Sequence, residues 1–186
     1  MLGRSHRRLE ERLSELQQAA GAIVRERTAG GEMAAIEGAL VFLEGSAARH
    51  EADEEESLFP RLRAAPGGGD IAPLLDDLAA EHILHRHLVA QLRSLRNGWP
   101  DTGPDAAGAA SLAILVNEMA RQYRSHVEHE ERELMPAARE RLGQADREAI
   151  LGEMDRRRLG NGRGGAGGAT RRRYPAGSTG PRVRGF

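Results

Sequence analysis

The stretch "RHEADEEESLFPRL" at residues 49–62 carries a pattern that the chain repeats as "SHVEHEERELMPAA" at residues 125–138. In each copy, a histidine is followed four residues later by a glutamate and ten residues later by a proline. The two copies align at an offset of 76 residues, and the same offset relates further polar and apolar positions. The aligned polar pairs are His6 with His82, His50 with His126, and Glu54 with Glu130. The chain therefore reads as two copies of one helical hairpin.

Apolar residues recur at steps of three and four along most of the chain, which is the period of an amphipathic helix. The segments with this period are about 5–28, 32–64, 73–97 and 108–141, and a short helix is expected at 144–158. Proline and glycine in "APGGGD" and "NGWPDTGPD" separate the second, third and fourth segments. No alternation of apolar and polar residues persists, so no strand is expected. The sequence predicts an all-α, up-down-up-down four-helix bundle.

Charge divides the chain into an acidic body and a basic end. All 28 acidic residues lie at or before Asp155, whereas residues 156–186 hold nine arginines and no acid. The glycine- and arginine-rich end cannot bury a core, so we expect a folded domain over 1–158 and a disordered tail over 159–186. Such a tail can contact nucleic acid or an acidic partner through charge alone, or it can remain solvated.

Composition excludes several classes of protein. Cysteine is absent, which excludes disulfides, thiolate metal sites and cysteine nucleophiles. No apolar run approaches the roughly 18 residues that a membrane-spanning helix needs. The N-terminal stretch "MLGRSHRRLEERL" is charged, unlike a signal peptide. We therefore expect a cytoplasmic protein that has no contact with a membrane.

Six polar side chains continue the apolar stripes of the predicted helices. These residues are His6, His50, Glu54, His82, His126 and Glu130. Burying ionised carboxylates without partners costs several kcal/mol each, so simple packing does not explain them. A cation would relieve that cost, because imidazole nitrogen and carboxylate oxygen are common metal ligands. With no sulfur in the set, iron suits the site best, and manganese or zinc is also possible.

The spacing also indicates how the six residues could share two metal ions. Residues four apart stack on one face of a helix, so each histidine–glutamate pair can reach one centre. His6 and His50 are expected to cap one metal ion. His82 and His126 are expected to cap the other. Glu54 and Glu130 are expected to bridge the two ions, which leaves positions for a bridging oxygen and a small molecule.

Other residues near these positions have competing interpretations. Glu51 lies next to His50 and is either an additional metal ligand or not part of the site. His85 and Tyr123 lie on buried stripes, where each could donate a proton or simply pack in the core. Several acidic residues and two histidines are interpreted as surface residues, and they are Glu55, Glu56, Glu131, Glu133, His87 and His129. Pro60 and Pro136 are expected to kink or end their helices beyond the site.

These residues resemble the hemerythrin-like, or HHE cation-binding, domain family. The resemblance rests on His6, "HEADEEESLFP", "EHILHRH" and "HVEHEERELMP", and it covers about residues 5–142. It implies a four-helix bundle that holds a non-heme di-iron centre with a bridging oxo or hydroxo group. The cofactor expected from this resemblance is two iron ions.

The chain departs from the oxygen-carrying members of that family at two positions. Those proteins have a histidine four residues after the first histidine of the third helix, where this chain has Arg86. They also have His-xxxx-Asp on the fourth helix, where this chain has Glu130 and Glu131. The chain instead resembles the H…HxxxE…H…HxxxE branch. That branch includes iron–sulfur cluster repair proteins and bacterial proteins linked to peroxide or nitric oxide responses.

Three functions are compatible with such a centre. The first is a sensor or reversible binder of O2, NO or peroxide, which acts in signalling or in a stress response. The second is an enzyme with catalase-like decomposition of peroxide. The third is iron storage or delivery, including iron–sulfur cluster repair, although the repair proteins carry a cysteine-bearing segment and this chain has no cysteine. The sequence favours binding of a small molecule over the other two.

Overall fold

The structure is a computed structural model that describes residues 2–25, 30–100 and 102–161. The described part is helical and contains no strand. Its helices are α1 (Leu2–Val24), α2 (32–64), α3 (Gly68–Asn97), α4 (106–141) and α5 (Gln144–Asn161). α2 and α4 are continuous, but π-helical turns interrupt their α-helical pattern at Leu43–Ala47, Glu54–Leu58 and Glu130–Leu134. The predicted fold class is confirmed.

The first four helices form a ring of neighbours. α1 packs against α2 and α4, and α3 packs against the same two helices from the other side. Short connections between successive helices make these neighbours antiparallel, as expected for an up-down-up-down bundle. The two predicted hairpins therefore face each other across a common interior.

The interior contains two apolar clusters. The larger cluster is built around Leu13, Leu16, Leu40 and Leu92, and the smaller one around Leu62 and other residues near the opposite end of the bundle. Between them lies a layer of buried histidine and glutamate side chains that belongs to neither cluster. This layer contains the polar residues that the sequence pattern placed on the apolar stripes.

The connection between α2 and α3 is shorter than the sequence predicted. α3 begins at Gly68, about five residues before the expected start, and Pro73 lies inside it. Gly67 has a φ of 71°, a conformation that glycine adopts readily. A Cβ on Gly68 would lie 2.1 Å from the backbone oxygen of Arg63. Gly67 and Gly68 therefore permit a tight turn into α3. Gly68 and Gly69 already belong to the helix.

α5 packs on the outside of α2. Ile150 and Met154 bury apolar surface in the smaller core cluster. The Arg157 guanidinium donates to Asp53 and to Ser57 of α2, at 2.7 Å in each case. This helix ends at Asn161, three residues beyond the predicted end of the domain at 158. The predicted tail falls mainly on residues 162–186, which lie outside the described residues.

None of the helices in the described ranges is long and apolar enough to cross a membrane.

Candidate metal centre

The polar layer brings together all six side chains that the sequence repeat singled out. α1 supplies His6, α2 supplies His50 and Glu54, α3 supplies His82, and α4 supplies His126 and Glu130. The two glutamates and His82 are 0% exposed, and only the His50 side chain, at 13%, has appreciable access to solvent. The four helices of the ring thus contribute to one buried layer.

Within this layer the side chains form two groups, each with ligand atoms close enough to surround one metal ion. In one group, atoms of His6, His50 and Glu130 lie within 4.8 Å of one another. The other group meets the same distance limit and consists of Glu54, His82, His126 and Glu130. Glu130 belongs to both groups, so two ions held in them would share a carboxylate.

Each of the two carboxylates lies between the two histidine pairs, although only Glu130 belongs to both groups. Oε2 of Glu130 lies 2.7 Å from Nε2 of His6, and its Oε1 lies 2.6 Å from Nε2 of His126. Oε1 of Glu54 lies 3.7 Å from Nε2 of His50, and its Oε2 lies 3.4 Å from Nε2 of His82. Each glutamate therefore offers one oxygen to each histidine pair, which is the arrangement of a bridging carboxylate.

Many of these buried atoms have no hydrogen-bond partner. Both oxygens of Glu54, both oxygens of Glu130, and Nε2 of His6 and of His50 are buried without a partner among the described residues. The histidine nitrogens that lie close to the Glu130 oxygens therefore do not have the angles that a hydrogen bond requires. Buried polar atoms are normally satisfied, because leaving one unpaired costs roughly 1–3 kcal/mol. Nitrogen and oxygen atoms that converge without partners fit a metal ion, which would satisfy them together.

Carboxylates outside the two groups orient three of the histidines. Nδ1 of His6 lies 3.0 Å from Glu131, and Nδ1 of His82 lies 2.9 Å from Glu55. An ionised carboxylate cannot donate, so the ring Nδ1–H donates, and Nε2 is the nitrogen that faces the interior. Such outer partners fix the orientation of metal-binding histidines. Glu131 is 60% exposed, as expected for a surface residue, and Glu55 is partly buried, yet each of them contacts a buried histidine.

The third of these carboxylates belongs to Glu81, which the sequence analysis missed. Its Oε2 lies 2.7 Å from Nδ1 of His126, and its Oε1 lies 3.0 Å from Nδ1 of His129. Glu81 lies on α3 whereas both histidines lie on α4, so the contact depends on how these helices pack. The sequence does place Glu81 directly before His82. The helical period of α3, however, gives Glu81 no feature that separates it from the other acidic residues of this helix.

The protein groups around the two carboxylates shift the pKa values of Glu54 and Glu130 in opposite directions. Burial, together with the negative charge of Glu130, raises the pKa of Glu54 well above its usual value. Burial alone would also raise the pKa of Glu130, but contacts with the surrounding histidines lower it below its usual range. Burial, with repulsion from His126, lowers the pKa of His82 to about 3. Glu54 therefore favours the protonated form and Glu130 the ionised form.

Burial opposes a charge on His6 and His126, but their contacts with Glu130 raise the pKa of both. Positive charge is thus favoured around Glu130, and a metal cation would compete with protons for this position.

The two copies of the repeat share a backbone feature as well as their side chains. A π-helical turn begins at Glu54 in α2 and at Glu130 in α4. The amide of Phe59 donates to the carbonyl of Glu54, five residues earlier, rather than four as in an α-helix. A proline follows each widened turn, and its ring would collide with the carbonyl four residues earlier in a regular α-helix. The helices do not end at these prolines but continue to Ala64 and Arg141. Single π turns are frequent at functional sites.

Glu51, His85 and Tyr123 lie beside the two groups. Glu51 is buried, and its carboxylate contacts Nδ1 of His85 at 3.2 Å and Arg86 at 3.3 Å. It is in neither group of potential metal ligands. His85 stacks on Tyr123 with ring centroids 3.9 Å apart and meets the His126 ring edge-on at 4.8 Å. The two rings therefore form an aromatic layer behind His126.

Comparison with known families agrees with this chemistry. The family model described as the hemerythrin HHE cation binding domain matches residues 1–138. This range includes the six residues of the two groups and the widened turns, and it stops before α5. No curated protein and no solved structure matches the chain.

Proposed function

The chain belongs to the hemerythrin HHE cation-binding domain family, and on that premise we propose that it holds two non-heme iron ions. His6 and His50 bind one ion, and His82 and His126 bind the other. Glu54 and Glu130 bridge the two ions. The centre binds O2, NO or peroxide, and the protein acts as a sensor or in a stress response.

The observation that carries this proposal is the orientation of the two buried carboxylates. Each glutamate offers one oxygen to the pair His6 and His50 and its other oxygen to the pair His82 and His126. Without bound cations, four carboxylate oxygens would remain buried without hydrogen-bond partners. Two cations are therefore the simplest way to satisfy this layer.

The donor atoms support iron. The proposed ligands are imidazole nitrogens and carboxylate oxygens, a set that suits iron, and no cysteine is present to favour other centres. Bound iron would supply Lewis acidity and electrons to a small ligand. The surrounding residues orient the histidines and exclude bulk water from the layer.

A cleft on one side of the layer reaches His6, one of the six proposed ligands. This cleft of about 260 Å³ between α1 and α4 has His6 in its wall, together with the apolar side chains of Leu9, Leu13 and Val127. The ion pair between Glu10 and Arg124 also lines this cleft. The cleft has room for a molecule as small as O2 or NO to approach His6, which supports a role in binding a small molecule.

The experiment that tests this function begins with metal analysis of the purified chain after anaerobic loading with ferrous iron. Two iron ions per chain are expected, and the absorption spectrum should change on exposure to O2 or NO. Fewer than one ion per chain, or a spectrum that neither gas changes, would contradict the proposal.

Two further measurements separate the other functions that the site allows. Sustained consumption of peroxide by the iron-loaded chain would indicate a catalase-like enzyme instead. Rapid release of iron to a weak chelator would indicate storage or delivery.

A further inference from the structure

A second cleft, between α2 and α3, lies next to the metal layer but contains none of the six proposed ligands. Its volume is about 590 Å³, within the range of roughly 300–1,000 Å³ that is typical of sites for small organic ligands. We propose that this cleft binds an uncharged organic molecule with an apolar body and one hydrogen-bonding oxygen. The site contains none of the proposed iron ligands, and its lining shares only Tyr123 with the cleft at His6.

The side walls of the cleft are apolar. Leu43 and Ala48 of α2 face Val89 and Ala90 of α3 across the opening. These side chains offer no hydrogen bonds, so they suit the hydrocarbon part of a ligand, whose removal from water stabilises binding by roughly 25 cal/mol per Å² of apolar surface. The body of the occupant is therefore apolar.

The cleft also has polar side chains without a partner among the described residues, at Ser94 and Asn97 near one end and at Tyr123 beside the metal layer. Tyr123 as a whole residue is 3% exposed, but its hydroxyl oxygen is accessible to solvent and makes no hydrogen bond to the described residues. Burial, with the negative charge of Glu51, raises the pKa of this hydroxyl, so it keeps its proton and can donate. An oxygen atom of a bound ligand that accepts this hydrogen bond would take the place of water as its partner.

The charged side chains that line the cleft neutralise one another, which favours an uncharged ligand. Arg93 donates to both oxygens of Glu44, at 2.9 and 2.7 Å. Arg86 contacts Glu51 at 3.3 Å. Because each arginine already has a carboxylate partner, an anionic ligand would have to displace a glutamate, and a cationic ligand would have to displace an arginine.

The position of Tyr123 connects this cleft with the metal layer. Its ring stacks on His85, and His85 contacts the ring of His126. An occupant that accepts a hydrogen bond from Tyr123 would thus be separated from a proposed metal ligand by one aromatic layer. The chain could hold an organic molecule beside the centre while the cleft at His6 stays open to a small ligand.

The test compares two probes, 2-naphthol and naphthalene, which differ only in a hydroxyl group. Binding of each to the metal-loaded full chain is measured by equilibrium dialysis. We expect saturable binding of both probes, with 2-naphthol binding more tightly. Tyr123→Phe should weaken 2-naphthol by roughly two- to tenfold, the equivalent of one hydrogen bond, and leave naphthalene unchanged.

A matched pair of tryptophan variants tests whether the probes bind in this cleft. Ala90→Trp places a large side chain in the cleft and should weaken both probes at least about tenfold. Ala80→Trp makes the same change at an exposed position of α3 outside the cleft and should leave binding unchanged. Thermal melting and metal analysis check that each variant is folded and loaded.

The absence of saturable binding would overturn the proposal, as would equal binding by Ala90→Trp and Ala80→Trp. An equal response of the two probes to Tyr123→Phe would also overturn it. Failure to bind iron would refute the proposed function alone, because the cleft contains none of the six proposed ligands.

Discussion

Glu130 is the side chain on which both histidine pairs converge. Replacing it with alanine removes the carboxylate that the two groups share, so we expect the affinity for iron to fall by more than the roughly 10- to 100-fold typical of losing an outer partner. Iron per chain after dialysis is the measurement. Glu133→Ala is the matched control, because Glu133 is half exposed and pairs only with Arg132. Equal iron content in the two variants would show that Glu130 is not a ligand.

Glu81 supports the site through His126 rather than by contact with a metal ion. In Glu81→Ala, Nδ1 of His126 loses its carboxylate partner, and the ring is free to turn away from the centre. We expect iron to bind about 10- to 100-fold more weakly. His129→Ala removes the other partner of Glu81 and leaves the contact with His126, so its affinity should stay near that of the unmodified chain. If both variants bound iron as the unmodified chain does, Glu81 would have no orienting role.

At the scale of the helix, the turn before α3 depends on a close approach that only glycine permits. Gly68→Ala places a Cβ 2.1 Å from the carbonyl oxygen of Arg63, so the backbone must move. We expect the free energy of unfolding to fall by about 1–3 kcal/mol, measured by chemical denaturation. At Gly69 a Cβ would meet nothing within 4 Å, and Gly69→Ala should leave stability unchanged or raise it slightly. Equal stability of the two variants would contradict the tight turn.

Arg157 is one of several contacts that hold α5 on α2, beside the Arg61–Glu153 ion pair and the apolar packing of Ile150 and Met154. In Arg157→Ala, the buried carboxylate of Asp53 keeps only the contact with Arg158, at 3.2 Å, and Ser57 loses a donor. We expect a loss of about 1–3 kcal/mol of stability in denaturant titrations. The same change should cost much less in an Asp53→Ala background, because the unpaired charge is then absent. An equal cost in both backgrounds would show that this ion pair does not hold α5.

The periodicity of apolar residues was sufficient to predict how many helices form the bundle, their order, and which face of each helix is buried. The repeat also indicated which six polar side chains would lie in one layer, since residues four apart share a helical face. It could not give the π turns at Glu54 and Glu130, because one extra residue in a turn leaves no distinct composition. Sequence periodicity also could not predict the hydrogen bond from Arg157 to Ser57, because these residues are 100 positions apart and meet only when α5 packs on α2.

For the whole molecule, the polar layer separates two apolar clusters and is itself poorly satisfied without cations. Four helices meet at this layer, so its free energy affects the bundle as a unit rather than one helix. Bound metal would replace carboxylate repulsion and unpaired polar atoms with ligand bonds. The stability of the metal-free chain is therefore limited by the same residues that bind the metal.

Removal of metal should consequently lower the melting temperature of the entire bundle. A ligand at about 100 times its dissociation constant stabilises the folded state by roughly 2.7 kcal/mol, which corresponds to about 5–10 °C in a domain of this size. Calorimetry of the iron-loaded and chelator-treated chain measures the difference. Glu130→Ala serves as the control, because chelator should barely affect a chain that binds little iron. Identical melting of the loaded and the stripped chain would show that cations do not stabilise this layer, and the energetic basis for the centre would then be wrong.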